Sequence, residues 1–120
     1  MPTILIIDDE ELVRVLLRSA LEEAGYEVTE ATNGRQGLEL YRNKQTDLVI
    51  TDILMPEMNG LELMLELTRS FLNVKVIAMT GESESTGTLD KAKLLGARQT
   101  FQKPFDMNEL LRAVRYDLAH

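Results

Sequence analysis

Apolar residues occupy consecutive positions in three short stretches, Ile4-Leu5-Ile6-Ile7, Leu48-Val49-Ile50 and Val74-Lys75-Val76-Ile77-Ala78-Met79. Such runs suit strands covered on both faces, as in a parallel sheet. Two stretches of mixed polarity, residues 27–30 and 100–102, predict strands at the sheet edges. Between the strands the period changes to that of a helix. Val13, Leu16, Leu17, Ala20, Leu21 and Ala24 recur at helical spacing, and Gly25 follows as a stop. Gly37, Leu38 and Tyr41 predict a shorter helix after Asn33-Gly34, and Leu61, Met64, Leu65 and Thr68 a third. Leu89, Ala92 and Leu95 predict a fourth, and Met107, Leu110, Leu111, Val114 and Leu118 a fifth, opened by Asp106 and Glu109 at capping-box spacing. Five strands alternating with five helices imply right-handed crossovers and an α/β sandwich with the sheet in the middle.

A length of 120 residues suits one domain, 1–120, and 44% hydrophobic residues suffice for its core without disulfides or a structural metal. The formal net charge of -7 argues against a direct grip on nucleic acid or an anionic membrane. The excess of acids lies in the first sixty residues. With no Cys, and a single His at position 120, thiol or imidazole catalysis and Cys- or His-ligated metal are excluded. The apolar start breaks at Asp8 and carries no basic leader, which predicts a cytoplasmic protein with no membrane span. Residues 81–87, Gly-Glu-Ser-Glu-Ser-Thr-Gly, predict a loosely held, mobile entry to the fourth helix.

In a wound α/β sheet, ligands bind beyond the carboxyl ends of the strands. Here those ends read Asp8-Asp9, Asp52, Thr80-Gly81 and Lys103-Pro104. Carboxylates about 4 Å apart repel by roughly 4 kcal/mol per pair at an effective dielectric near 20, so converging acids call for a cation. Mg²⁺ is the natural choice, being hard, oxygen-seeking and content with one or two protein carboxylates plus phosphate oxygens. A lysine and a threonine on the same rim suit the remaining oxygens of a phosphoryl group. The chemistry that follows is phosphoryl transfer, with Asp52 as the acceptor forming an acyl phosphate.

Ile7-Asp8-Asp9-Glu10, Asp52-Ile53-Leu54-Met55-Pro56-Glu57-Met58-Asn59-Gly60, Thr80-Gly81 and Lys103-Pro104-Phe105 together resemble the receiver domain of bacterial two-component response regulators. The resemblance spans the whole chain and implies a flavodoxin-like, doubly wound (βα)5 fold with sheet order 2-1-3-4-5. It implies that Asp8 and Asp9 hold Mg²⁺, Asp8 through water and Asp9 directly, with Asp52 and the backbone carbonyl of Leu54 as further ligands. It makes Asp52 the phosphoacceptor, Thr80 the hydroxyl that moves onto the phosphoryl group, and Lys103 the partner of its oxygens. The Lys103-Pro104 bond is expected to be cis. The protein it describes is a switch that assists only its own phosphorylation and dephosphorylation. Its phosphodonor is a sensor histidine kinase or phosphotransfer protein. Its output partner docks on the face of the fourth helix, fifth strand and fifth helix, and it is a monomer or a weak phosphorylation-dependent dimer.

One position departs from the family pattern. Three residues before Lys103, where an aromatic ring often couples to the threonine, stands Thr100. Strand alternation turns the adjacent Phe101 to the opposite face, toward core packing. Leu54 and Glu82 occupy positions that resemble the family's determinants of acyl-phosphate lifetime. Two competing readings remain at this level: a Mg²⁺-dependent phosphohydrolase with Asp52 as nucleophile, and a pseudo-receiver that signals by association alone. A stand-alone receiver and a piece of a longer regulator are equally open.

Overall fold

Strands β1 (Thr3–Ile7), β2 (Glu27–Ala31), β3 (Leu48–Asp52), β4 (Val76–Thr80) and β5 (Gln99–Gln102) form one parallel sheet in the order β2-β1-β3-β4-β5. The computed structural model describes residues 1–53, 55, 58–81 and 86–120, the last stretch without the side chains of 86–89. β3 and β4 are buried at every position, as their unbroken apolar runs require, while β2 and β5 carry the mixed patterns and lie at the edges. The fourth strand begins at Val76, so Val74 belongs to the preceding loop and packs only at the margin of the core.

Helices α1 (Glu11–Glu23), α2 (Gly34–Asn43), α3 (Gly60–Ser70), α4 (Thr86–Leu94) and α5 (Met107–Ala119) follow the strands in alternation. They cover the sheet unequally. Leu17 and Leu21 of α1 and Leu110 and Val114 of α5 pack with Ile4, Ile6, Ile50 and Ile77 on one face. Leu38 and Tyr41 of α2, Leu63, Met64 and Leu67 of α3, and Ala92 of α4 pack with Leu5, Ile7, Val49 and Ala78 on the other. The three-layer sandwich with order 2-1-3-4-5 is therefore as expected, with strand alternation dividing each strand between two cores. Phe101 faces the α1/α5 core beside Phe105, ring centroids 5.9 Å apart.

The helix ends follow from the residues that stand there. Asn33, Asn59 and Asp106 cap α2, α3 and α5, each accepting a backbone N–H of the first turn at 2.7–2.9 Å. Gly25, at φ +98°, ends α1: its N–H donates to Glu22 O and that of Tyr26 to Leu21 O, the reciprocal pair that a left-handed residue makes possible.

Two helical stripes differ from the expected ones. Leu16 is 54% exposed and Leu65 47% exposed, while Leu63 and Leu67 are fully buried. On α3 the rotation is set by Gly60, whose missing side chain lets the helix start rest on the end of β3: a Cβ there would lie 2.4 Å from Asp52 O and 2.6 Å from Ile53 Cα. The core stripe then runs 60, 63, 64, 67.

Gly60→Ala is expected to destabilise the fold by about 2–3 kcal/mol, because backbone rather than a movable side chain meets the added methyl. Gly81→Ala, where a Cβ meets none of the described residues within 4 Å, is expected to stay within about 0.5 kcal/mol of the native chain. Urea unfolding of the two variants checks this, and equal stabilities would contradict it.

Candidate functional site

β1 and β3 are neighbours in the centre of the sheet, and their carboxyl ends deliver Asp52 and, one residue past β1, Asp8. Asp8 is fully buried and Asp52 is 4% exposed. The Asp8 N–H donates to Ala31 O at 3.2 Å, and Asp8 Oδ1 accepts the Glu10 N–H at 2.8 Å, so a side chain folds the β1–α1 connection into a short turn. Arg14 Nη1 donates to Asp8 O at 2.7 Å, and the same guanidinium bonds Glu30 on β2 through Nε at 3.1 Å. A strut from β2 through α1 thus holds the acid-bearing turn from behind.

Lys103 enters from the end of β5. Its N–H donates to Thr80 O at 2.7 Å, which extends the β4–β5 ladder by one bond, and its bond to Pro104 is cis, as expected. The ammonium lies 2.9 Å from Asp8 Oδ2, 3.1 Å from Glu10 Oε1 and 3.5 Å from Asp52 Oδ2. Thr80, the last residue of β4, is fully buried, and its Oγ1 has no hydrogen-bond partner among the described residues; neither has Asp52 Oδ1.

Asp8, Asp52, Thr80 and Lys103 therefore occupy the ends of adjacent strands as the sequence predicted. Asp9 does not join them. Among the described residues, the carboxylates whose oxygens lie within 4.8 Å of one another are those of Asp8, Glu10 and Asp52, and Asp9 is exposed between two of them. The turn closed by Asp8 Oδ1 and the Glu10 N–H brings the first and third acids of Asp8-Asp9-Glu10 together, and the second stays exposed. The run of three acids was the signal for Glu10, and Arg14, one turn further along α1, was the other contributor that the strand-end reasoning passed over. Leu54 and Glu82 lie outside the described residues, as does the 81–87 segment apart from Gly81 and the backbone at the start of α4.

Electrostatics follow from burial. Burial pushes the Asp52 carboxyl up to about 6, the charge of Asp8 adds to this, and the Lys103 ammonium works against it. Asp8 is also raised by burial, with the Glu10 N–H and Lys103 opposing. Burial alone would lower the Lys103 pKa, but the hydrogen bond and charge of Asp8, then Asp52 and Glu10, raise it above the ordinary lysine value. One firmly charged ammonium thus serves three acids, and the oxygens left over suit a divalent cation. Hard oxygen donors, one of them buried with no partner, fit Mg²⁺. Beside the site, a groove of about 450 Å³ runs between α1 and the start of α5, lined by Val13, Leu16, Leu17, Phe105 and Met107 and opening at Glu10 and Lys103.

A family profile described as the response regulator receiver domain matches residues 4–115. The chain belongs to that family. It is 37% identical over 112 residues to sporulation initiation phosphotransferase F of Bacillus subtilis, covering 93% of this chain and 90% of that protein. It is 36% identical over 112 residues to chemotaxis protein CheY of Thermotoga maritima, covering 92% of each. The crystal structure of a CheY-like receiver domain protein from Methanospirillum hungatei superimposes with a TM-score of 0.93 at 29% identity, covering 99% of this chain and 94% of that one. Receiver domains are signalling switches rather than classical enzymes, and accepting a phosphoryl group and signalling to partners is the function of the family. No helix of the described residues is long and apolar enough to cross a membrane.

The raised Asp52 pKa has a definite sign in stability. Its folded value, about 6, lies above the ordinary 3.8, so the native state binds more protons in this window and loses stability as pH rises from about 4 to 6. In metal-free buffer, Asp52→Asn is expected to be more stable than the native chain at pH 7 by on the order of 1–3 kcal/mol, and to lose that advantage near pH 4. Urea midpoints that coincide at pH 7 would contradict the assignment of Asp52 as a buried, strained anion.

Proposed function

We propose that the chain is a phosphorylation switch in which Asp52 is the acceptor, taking its phosphoryl group from a phosphohistidine on a kinase or phosphotransfer protein. The observation that carries this reading is a buried carboxylate at the end of the central strand, with one oxygen unpartnered and the other 3.5 Å from Lys103 Nζ. A new P–O bond forms from Asp52 to the phosphoryl group while the P–N bond to the donor imidazole breaks, and the electron pair leaves with the ring nitrogen. Asp8 and Asp52 are the acids that would hold Mg²⁺, with Glu10 beside them; Asp9 and the Leu54 carbonyl join that set on the resemblance alone. When bound, Mg²⁺ neutralises charge on the acids and on the phosphoryl oxygens.

The side chains divide the work. Lys103 keeps its proton and is positioned to pair with a phosphoryl oxygen. Thr80 carries a hydroxyl with its bonding capacity unused, available to donate to another. Arg14, tied to Glu30, keeps the Asp8 turn in place while charge builds in front of it. These groups assist the gain and the loss of the chain's own phosphoryl group, which is a single-turnover role. The apolar groove beside Lys103 favours docking of the phosphodonor there. The output face is α4, β5 and α5, where Lys91, Lys93, Arg98, Arg112 and Arg115 are exposed, and the compartment is the cytoplasm.

Acetyl phosphate with Mg²⁺ is expected to add one phosphoryl group to the native chain by intact mass, and none to Asp52→Asn or to the native chain in EDTA. Labelling of Asp52→Asn at the native level would move the acceptor elsewhere. Thr80→Ala is expected to retain the label but to lose the accompanying change in amide exchange over residues 81–87. A response like that of the native chain would remove Thr80 from the switch. Catalytic release of many equivalents of phosphate from a phosphomonoester would favour a hydrolase instead.

A further inference from the structure

The Lys103 ammonium has two close carboxylate partners of unlike character. Asp8, 2.9 Å away, is fully buried and pinned by the Glu10 N–H, whereas the Glu10 carboxylate, 3.1 Å away, is 61% exposed on a side chain one methylene longer. Both belong with Asp52 to the same carboxylate cluster, and the Asp52 oxygen left without a partner is itself buried. We propose that Glu10 is the alternative seat of the Lys103 ammonium, holding it at the rim when Asp8 and Asp52 are engaged by a divalent cation. The inference rests on the metal site described under the proposed function.

Two cations cannot share one buried carboxylate oxygen without strong repulsion. With Glu10 present, Lys103 leaves Asp8 and still faces a carboxylate it already touches. Without Glu10, the ammonium either stays on Asp8 and opposes the incoming cation or loses its charged partner. Glu10 is then a positioning residue that acts through Lys103. A direct ligand, or a plain negative charge near the site, would behave differently. Its removal would matter at least as much once Lys103 is gone, since no ammonium would then mask it.

Calorimetric titration with magnesium chloride at 0.15 M salt, on the full chain and its Glu10→Gln, Lys103→Ala and doubly substituted forms, separates these cases. Glu10 is exposed, so its variant is expected to fold like the native chain. Glu10→Gln is expected to weaken Mg²⁺ binding about three- to tenfold in the native background and less than about twofold in the Lys103→Ala background. A loss as large or larger without Lys103, or no loss in either background, overturns the inference and leaves the metal site standing. Absence of Mg²⁺ binding by the native chain at millimolar concentration overturns the metal site, and this inference with it.

Discussion

Two like charges buried side by side, Asp8 and Asp52, are the constraint to which the rest of the structure answers. Water would keep such carboxylates apart and solvated; the sheet denies them that by placing them beyond the ends of adjacent central strands. A lone buried anion costs several kcal/mol, and a second nearby raises that cost. The chain meets it with a single ammonium brought 95 residues along the sequence, and with a backbone N–H supplied by Glu10. The balance is incomplete, which is why the Asp52 carboxyl sits near 6 rather than near 4. On the proposed reading, incomplete compensation is what makes the site receptive to a divalent cation and to phosphorus.

The scaffold supplies the rigidity such a site demands. All five positions of β3 and of β4 are buried, so the ends that carry Asp52 and Thr80 are fixed by packing on both faces of the sheet. Gly60 lets α3 close directly onto the backbone of Asp52 and Ile53, and the Gly60 N–H donates to Ile53 O at 2.6 Å. Arg14 and Glu30 hold the turn after β1 from the other side. Residues that determine geometry are thus spread over β2, α1 and α3, while Asp8, Asp52, Thr80 and Lys103 themselves are confined to four strand ends.

Much of this was legible in the residue pattern because burial on both faces leaves a distinctive trace. Ile4 to Ile7 and Leu48 to Ile50 could be little else than central strands, and the polar residues that end them had to lie at one rim. Asn33, Asp106 and Gly25 announced helix ends through local hydrogen bonding, which depends on neighbours in sequence alone. What the pattern did not carry was the rotation of elements about their own axes. Leu65 and Leu16 look like core residues at helical spacing, yet a contact at the start of α3, and an open groove beside α1, turned them outward. The same limit hid the approach of Glu10 to Asp8 and Asp52: which of three successive acids lies nearest them depends on how the chain leaves β1, where the Asp8 side chain folds the turn.

On the proposed reading, the unpartnered atoms explain why phosphorylation should move this fold at all. A buried polar group without a hydrogen bond costs about 1–3 kcal/mol, and neither Thr80 Oγ1 nor Asp52 Oδ1 has a partner among the described residues. A phosphoryl group brings strong acceptor oxygens and close to two negative charges. Lys103, already shared among three carboxylates, gains a more highly charged partner, and Thr80 gains an acceptor where it had none. The Thr80 gain is available only in an arrangement in which the end of β4 meets the phosphoryl group, and a modification shifts an equilibrium by its difference in interaction with the two states. The stability left unrealised in the unmodified site is therefore the quantity that phosphorylation can recover, and it is recovered in one state only.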